Sequence, residues 1–181
     1  MKHLFILITL LFLSACATSV NVDYDSKTNF SKIKTFQVQA KPVNVIDDPR
    51  INSPFMQERT IKAIGDTLTL KGMAFTKSEP DVIIKYYLLI KQEIESDDSG
   101  VTLGFGTASR HSFIGMAYNF PERDISSVDN LVVTIDMFDP KNNLLWRGSL
   151  ARRLYEGSTP ASNTRLVNDL VAEILNQFPP K

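Results

Sequence analysis

The sequence predicts an α+β domain: a two-layer fold in which a mostly antiparallel sheet carries two main helices packed on one face. Three observations predict it. Residues 81–91 and 131–138 place apolar side chains at every second position, the period of a strand with one buried face. The segment Asp139-Pro140-Lys141-Asn142-Asn143 has the composition of a hairpin turn and leads into another apolar run at 144–155. Two further segments repeat their apolar residues at helical spacing, so each presents one stripe that needs cover. One apolar sheet face and two striped helices satisfy each other in two layers.

The elements follow in order. Val20, Val22 and Tyr24 alternate with Asn21, Asp23 and Asp25, the pattern of a half-buried strand. Asp25-Ser26-Lys27-Thr28-Asn29 is turn chemistry. A second alternating run, residues 34–39, sets Phe36 and Val38 on one face. Pro42, Asp47-Asp48-Pro49 and Pro54 mark a loop. From Phe55 the period changes: Phe55, Ile61, Ile64 and Leu68 fall on one helical side, with Glu58, Arg59, Lys62 and Asp66 largely elsewhere. Lys71-Gly72 stops this helix, because glycine tolerates the left-handed cap. Phe75 leads into a short strand.

Three stronger strands come next. Val82, Ile84, Tyr86, Leu88 and Ile90 share one uniformly apolar face, which therefore looks inward. Leu131, Val133, Ile135 and Met137 do the same, and Trp146, Gly148 and Leu150 face inward on the returning strand. Leu166, Val167, Leu170, Val171, Ile174, Leu175 and Phe178 then recur at helical spacing. Thr159-Pro160 suits the start of that helix, since proline fits the first turn, and Pro179-Pro180 ends it.

The N-terminus has the three parts of a secretion signal. Lys2 supplies positive charge, Leu4 to Leu13 is apolar apart from Thr9, and the small residues Ser14 and Ala15 precede Cys16. A spanning helix needs roughly 20 apolar residues. The run here is shorter, and Thr18, Ser19 and Asn21 follow it. Leu13-Ser14-Ala15-Cys16 resembles the bacterial lipobox. That resemblance implies cleavage between Ala15 and Cys16 and acylation of Cys16, palmitate included, so that lipid on Cys16 holds the protein to a membrane. Cys16 is the only cysteine and has no disulfide partner within the chain. One acyl chain anchors marginally and several anchor stably. Ala17, where the enterobacterial sorting pattern has Asp for inner-membrane retention, resembles the outer-membrane case.

The expected organisation is a signal peptide at 1–15, the lipidated cysteine and a short tether at 16–21, and a single domain at 22–181. Removing residues 1–15 from 181 leaves 166, the size of one domain. Lys+Arg and Asp+Glu each total 20, and losing Lys2 with the signal leaves the body near neutral. A basic footprint for nucleic acid is absent, as is a polybasic cluster for anionic lipid.

The mature segment resembles the bacterial lipoproteins grouped as domain of unknown function 4136. The carriers are Val22-Asp23-Tyr24-Asp25 with Asn29-Phe30-Ser31-Lys32-Ile33-Lys34-Thr35-Phe36, then Leu70-Lys71-Gly72-Met73 followed by Pro80-Asp81-Val82. Asp136, Trp146-Arg147-Gly148 and the closing helix into Phe178-Pro179-Pro180 complete the order. The resemblance covers nearly all of residues 20–180. It implies an α+β domain on a lipid anchor, mostly in Gram-negative bacteria, and it implies no activity and no catalytic residues. Val38 stands where relatives often carry Trp.

Residues able to do chemistry are few. His3 leaves with the signal, and His111, beside Arg110 and Ser112, reads as solvated; no nucleophile-elbow pattern pairs with it. Zinc sites draw on several Cys and His ligands, which this chain lacks. Asp23-x-Asp25 with Asn29 fails as a calcium loop, because Lys27 and Thr28 occupy the fifth and sixth positions. It reads as an Asx-type turn. Asp47-Asp48 and Asp97-Asp98 read as solvated loop charge. Asp136 falls on the outward face of its strand, where an ion pair with Arg147 or Arg153 is expected. No cofactor and no metal are expected.

Residues 100–121 interleave Gly104-Phe105-Gly106 and Gly115 with apolar side chains. Two readings stand: a long hairpin folded onto its own domain, or an interaction arm of Leu103, Phe105, Phe113, Ile114 and Met116 that meets an envelope protein or membrane. Two functional classes follow. The first is a non-enzymatic binding or structural lipoprotein of the outer membrane, facing the periplasm. The second is a periplasmic hydrolase or small-ligand binder with a pocket beside the sheet.

Overall fold

A computed structural model describes residues 20–43, 48–95, 126–155 and 157–180. The signal peptide, Cys16 and its junction with Ala15, and the arm residues Leu103, Phe105, Phe113, Ile114 and Met116 lie outside the described residues, as does His111. The elements are β1 (Asn21–Tyr24), a 3-10 turn (Phe30–Lys32), β2 (Thr35–Val38), α1 (Pro54–Leu70), β3 (Ala74–Phe75), β4 (Val82–Glu95), β5 (Ser126–Phe138), β6 (Leu144–Arg153) and α2 (Pro160–Asn176). The six strands form one sheet in the order β1-β6-β5-β4-β2-β3, and both helices cover one face. The α+β class and the two layers are as the sequence predicts.

The sheet is mixed, where a mostly antiparallel one was expected. β1, β6, β5 and β4 pair antiparallel, but β2 runs parallel to both β4 and β3. The reason is connectivity: α1 is the crossover between β2 and β3, and parallel neighbours require one. A strand of four residues announces its partner only through that crossover, which alternation does not report.

Both helices begin with the same device. Ser53 and Thr159 accept hydrogen bonds from the backbone N–H of Met56 (3.1 Å) and Ser162 (3.2 Å), and proline follows each cap. α1 stops where Gly72 adopts φ +84° and the Met73 N–H returns to the Leu68 carbonyl at 3.1 Å. The buried stripe of α1 is Met56, Thr60, Ala63, Ile64 and Leu68. Phe55, expected on that stripe, is 68% exposed. It sits in the first turn, one residue before Met56, the first buried position of the helix. On α2 the expected Val167, Leu170, Val171, Ile174 and Leu175 are all buried.

The inner sheet face supplies Phe36, Val82, Ile84, Tyr86, Leu131, Val133, Ile135, Met137 and Trp146, each fully buried. Gly148 leaves the space that the Trp146 indole and Ile174 fill. Phe178 closes the far end, its ring edge-on to both Trp146 (5.6 Å) and Phe30 (5.8 Å).

Candidate functional site on the outer face of the sheet

The face opposite the helices carries a row of alternating charge. Lys85 on β4 pairs with Asp136 on β5, Asp136 with Arg147 on β6, and Arg147 with Asp23 on β1. Side chains on one face of neighbouring strands meet directly across the ladder, and opposite charges there are mutually stabilising. The row therefore follows from strand register.

Its centre is the Asp136–Arg147 pair. Arg147 donates from Nε to Oδ1 and from Nη2 to Oδ2, both at 2.6 Å, the two-pronged geometry that suits guanidinium and carboxylate. Asp136 is fully buried although its strand face is open, because Arg147, itself half-exposed, lies over it. Asp136 first, and the more distant Asp23 among lesser causes, raise the affinity of Arg147 for its proton. Tyr87, diagonal to Asp136, has its hydroxyl pushed up, first by burial and then by the Asp136 charge. Lys85 bends away: its Nζ lies 4.1 Å from the Phe138 ring centre and donates to Asn142 Oδ1 at 2.6 Å.

Beside this row lies a shallow depression of about 310 Å³, lined by Tyr87, Leu89, Val132, Thr134 and Arg147. A second, of about 250 Å³, lies against Asp23, Tyr24, Asp25, Leu144 and Leu145. The first offers an aliphatic floor with a guanidinium and a phenol at its rim. That set suits a contact surface better than proton transfer, because the Asp136 carboxylate already gives both oxygens to Arg147.

The other expected residues separate. Asp136 takes Arg147, one of the two partners anticipated, while the Arg153 guanidinium lies 5.6 Å from the Tyr155 ring centre. Asp25 forms the expected turn, accepting from the Lys27 N–H and the Thr28 hydroxyl, each at 2.9 Å. Among the described residues no three of His, Cys, Asp and Glu gather as metal ligands. Asp48 is not merely solvated: Arg50 joins it (2.8 Å) to Asp129 of β5 (2.5 Å), tying the loop before α1 to the sheet. Asp81 likewise accepts from the N–H groups of Lys34 and Thr35, both at 2.8 Å. Both ties were missed in the sequence because each spans more than 40 residues; an acidic residue just before a strand was the only local signal.

Comparisons with known proteins give a family match and structural likenesses. A family model described as "Domain of unknown function (DUF4136)" matches residues 20–180. No curated protein matches the chain. Among solved structures, a DUF4136 family protein from Bacteroides thetaiotaomicron VPI-5482 is similar at TM-score 0.51 and 14% identity, covering 89% of this chain and 95% of its own. A PDZ domain protein from Parabacteroides distasonis ATCC 8503 is similar at TM-score 0.53 and 15% identity over 90% of this chain. The chain spans 35% of that protein's length. A PelC dodecamer from Paraburkholderia phytofirmans reaches TM-score 0.47 at 12% identity, covering 87% of this chain and 93% of its own. At these identities the likeness concerns fold alone.

Proposed function

We propose, from the premise that this chain belongs to the DUF4136 family, that it is a lipid-anchored lipoprotein of the cell envelope. It is held by acyl chains on Cys16 to the periplasmic face of the outer membrane. The observation that carries this reading is Leu13-Ser14-Ala15-Cys16 at the end of a short apolar run. Several acyl chains on one residue supply the stable anchor that a single chain does not.

The domain itself acts as a non-enzymatic binding or structural module. What supports this is the use of its outer-face groups. The Asp136 carboxylate is buried and held in two hydrogen bonds by Arg147, so it is committed to the sheet. The neighbouring depression is shallow, with an aliphatic floor suited to contact with another surface.

Metabolic labelling with radioactive palmitate tests the anchor. Label is expected in the wild-type polypeptide and absent after Cys16→Ser. Label in neither, or equally in both, overturns the proposal.

A further inference from the structure

Strand register fixes which end of the domain the anchor leaves from. Asn21 pairs with Ser149, Ser149 with Thr134, and Thr134 with Tyr87. β1 then runs toward Asp23, opposite Arg147, Asp136 and Lys85. Upstream of Asn21 the chain therefore heads the other way, toward Leu88, Ile90 and Gln92 on β4. In that direction β6 ends at Arg153, opposite Asn130, while β4 and β5 continue as a two-stranded ribbon to Glu95 and Ser126.

The lengths decide what meets the membrane first. Cys16 stands five residues before Asn21, so at full extension it lies at most about 18 Å from it. Eight residues of ribbon beyond the Asn21 row measure about 27 Å along the strand. Sheet twist of about 20–25° per strand inclines β5 to β1 and shortens that to about 19 Å in the tether's direction. The ribbon end thus reaches about as far as a taut tether places Cys16. Any slack draws the domain nearer and brings the ribbon in first.

The same end carries the two most exposed aromatics among the described residues, while Phe75 (55%) and Tyr24 (43%) lie at the other end. Phe55 and Tyr155 are each 68% exposed. Phe55 opens α1 five residues after Arg50, which is paired to Asp129 opposite Gln92. Tyr155 follows Leu154, whose N–H donates to the Asp129 carbonyl at 2.7 Å. A tyrosine beneath an arginine suits the boundary between headgroups and acyl chains, where amphipathic rings concentrate.

We infer that this end of the domain, comprising the ribbon around the paired residues Gln92 and Asp129, together with Phe55 and Tyr155, rests on the phospholipid surface that holds Cys16. The inference rests on the lipid anchor proposed above. It sets the Lys141 turn at the opposite end, pointing away from the bilayer.

Acylated Cys16 has no free thiol, so one introduced cysteine takes a nitroxide label uniquely. The full chain, purified with its lipid, is labelled at Gln92→Cys, Phe55→Cys or Lys141→Cys and bound to phosphatidylethanolamine–phosphatidylglycerol vesicles. Gln92 and Phe55 are exposed, so neither label disturbs the core. Labels at both are expected to lose about half their accessibility to a water-soluble nickel chelate, as groups entering about 5–10 Å into the interface do. The Lys141 label stays unchanged. Mass spectrometry of the N-terminal peptide reads the anchor separately. A lipidated Cys16 with unresponsive Gln92 and Phe55 labels, or with the Lys141 label protected instead, overturns the orientation alone. An unmodified Cys16 removes the anchor and this inference with it.

Discussion

Asp136 and Arg147 sit directly opposite each other on β5 and β6, and the arginine covers a carboxylate with no solvent exposure of its own. The asymmetry sets the consequences of mutation. Truncating the arginine strands a buried charge, whereas replacing both partners removes the charge and its need together.

Arg147→Leu is therefore expected to lower unfolding free energy by about 2–3 kcal/mol, discounted from a fully buried pair because Arg147 is half-exposed. The double variant Asp136→Leu/Arg147→Leu is expected to recover most of that loss. Urea titration of the two variants measures the coupling. A double variant no better than the single would show that the row has a role beyond neutralising Asp136.

Tyr86 is fully buried on the inner sheet face, and its hydroxyl has no hydrogen-bond partner among the described residues. Burial pushes that hydroxyl up to about 12. An unpaired buried polar group costs more than the apolar surface that replaces it, so Tyr86→Phe is expected to stabilise by about 1 kcal/mol. A lower urea midpoint for Tyr86→Phe would show that the hydroxyl is paired after all.

Asp81 holds the start of β2 through the Lys34 and Thr35 N–H groups, and those bonds keep its carboxyl below the ordinary 3.8. A depressed folded-state value means the stabilisation is complete above 3.8 and disappears as pH falls through the lower folded value. Asp25, Asp48 and Asp139 shift in the same direction. Acid unfolding is thus expected to set in below about pH 4. Asp81→Asn, which cannot titrate, is expected to flatten part of that loss. Urea midpoints at pH 7 and pH 3 for both proteins read the difference.

Gly148 is the one inner-face position on β6 without a side chain. A Cβ there would overlap the Trp146 ring and come within 2.7 Å of Ile174 Cγ2. Gly148→Ala is expected to cost about 1–3 kcal/mol through overpacking. Trp146 is the only tryptophan, so its near-ultraviolet circular dichroism reports the displacement. An unaltered signal at unchanged stability would show that α2 moves aside freely.

What the sequence disclosed depended on how local each signal was. The inward faces of β4, β5 and β6 were legible because alternation is printed along each strand. The start of α2 was legible because its cap and proline, Thr159 and Pro160, are adjacent residues, whereas Pro54, which opens α1, reads in the sequence as part of the preceding loop. The parallel placement of β2, the Asp48–Arg50–Asp129 tie and the exposure of Phe55 were not, since each depends on what a distant segment does. Of the outer-face site, the parity of Asp136 was readable, but choosing Arg147 over Arg153 required the register between β5 and β6. Phe55 shows the limit plainly: helical spacing assigns it to a stripe, and only the packing of the whole fold decides where that stripe is covered.

Phe178 ties the end of α2 to the segment that follows β1. Its ring meets Trp146 on β6 and Phe30 in the turn after β1, and Phe30 meets Tyr24 at 6.1 Å. Its carbonyl accepts from Lys71 Nζ at 2.9 Å, at the far end of α1. Removing the ring therefore opens a cavity bounded by α1, β6 and the segment that follows β1. Phe178→Ala is expected to cost about 3–4 kcal/mol, the range for a buried aromatic whose neighbours collapse only partly. Phe30, which is only partly buried, is expected to cost less when changed to Ala. Both losses should appear in the emission of Trp146, red-shifted as water reaches the indole. The double variant should cost less than the two single losses added together, because each ring shields the other. Strict additivity in urea titration would mean that the two rings pack independently, and that the C-terminal segment does not brace β1.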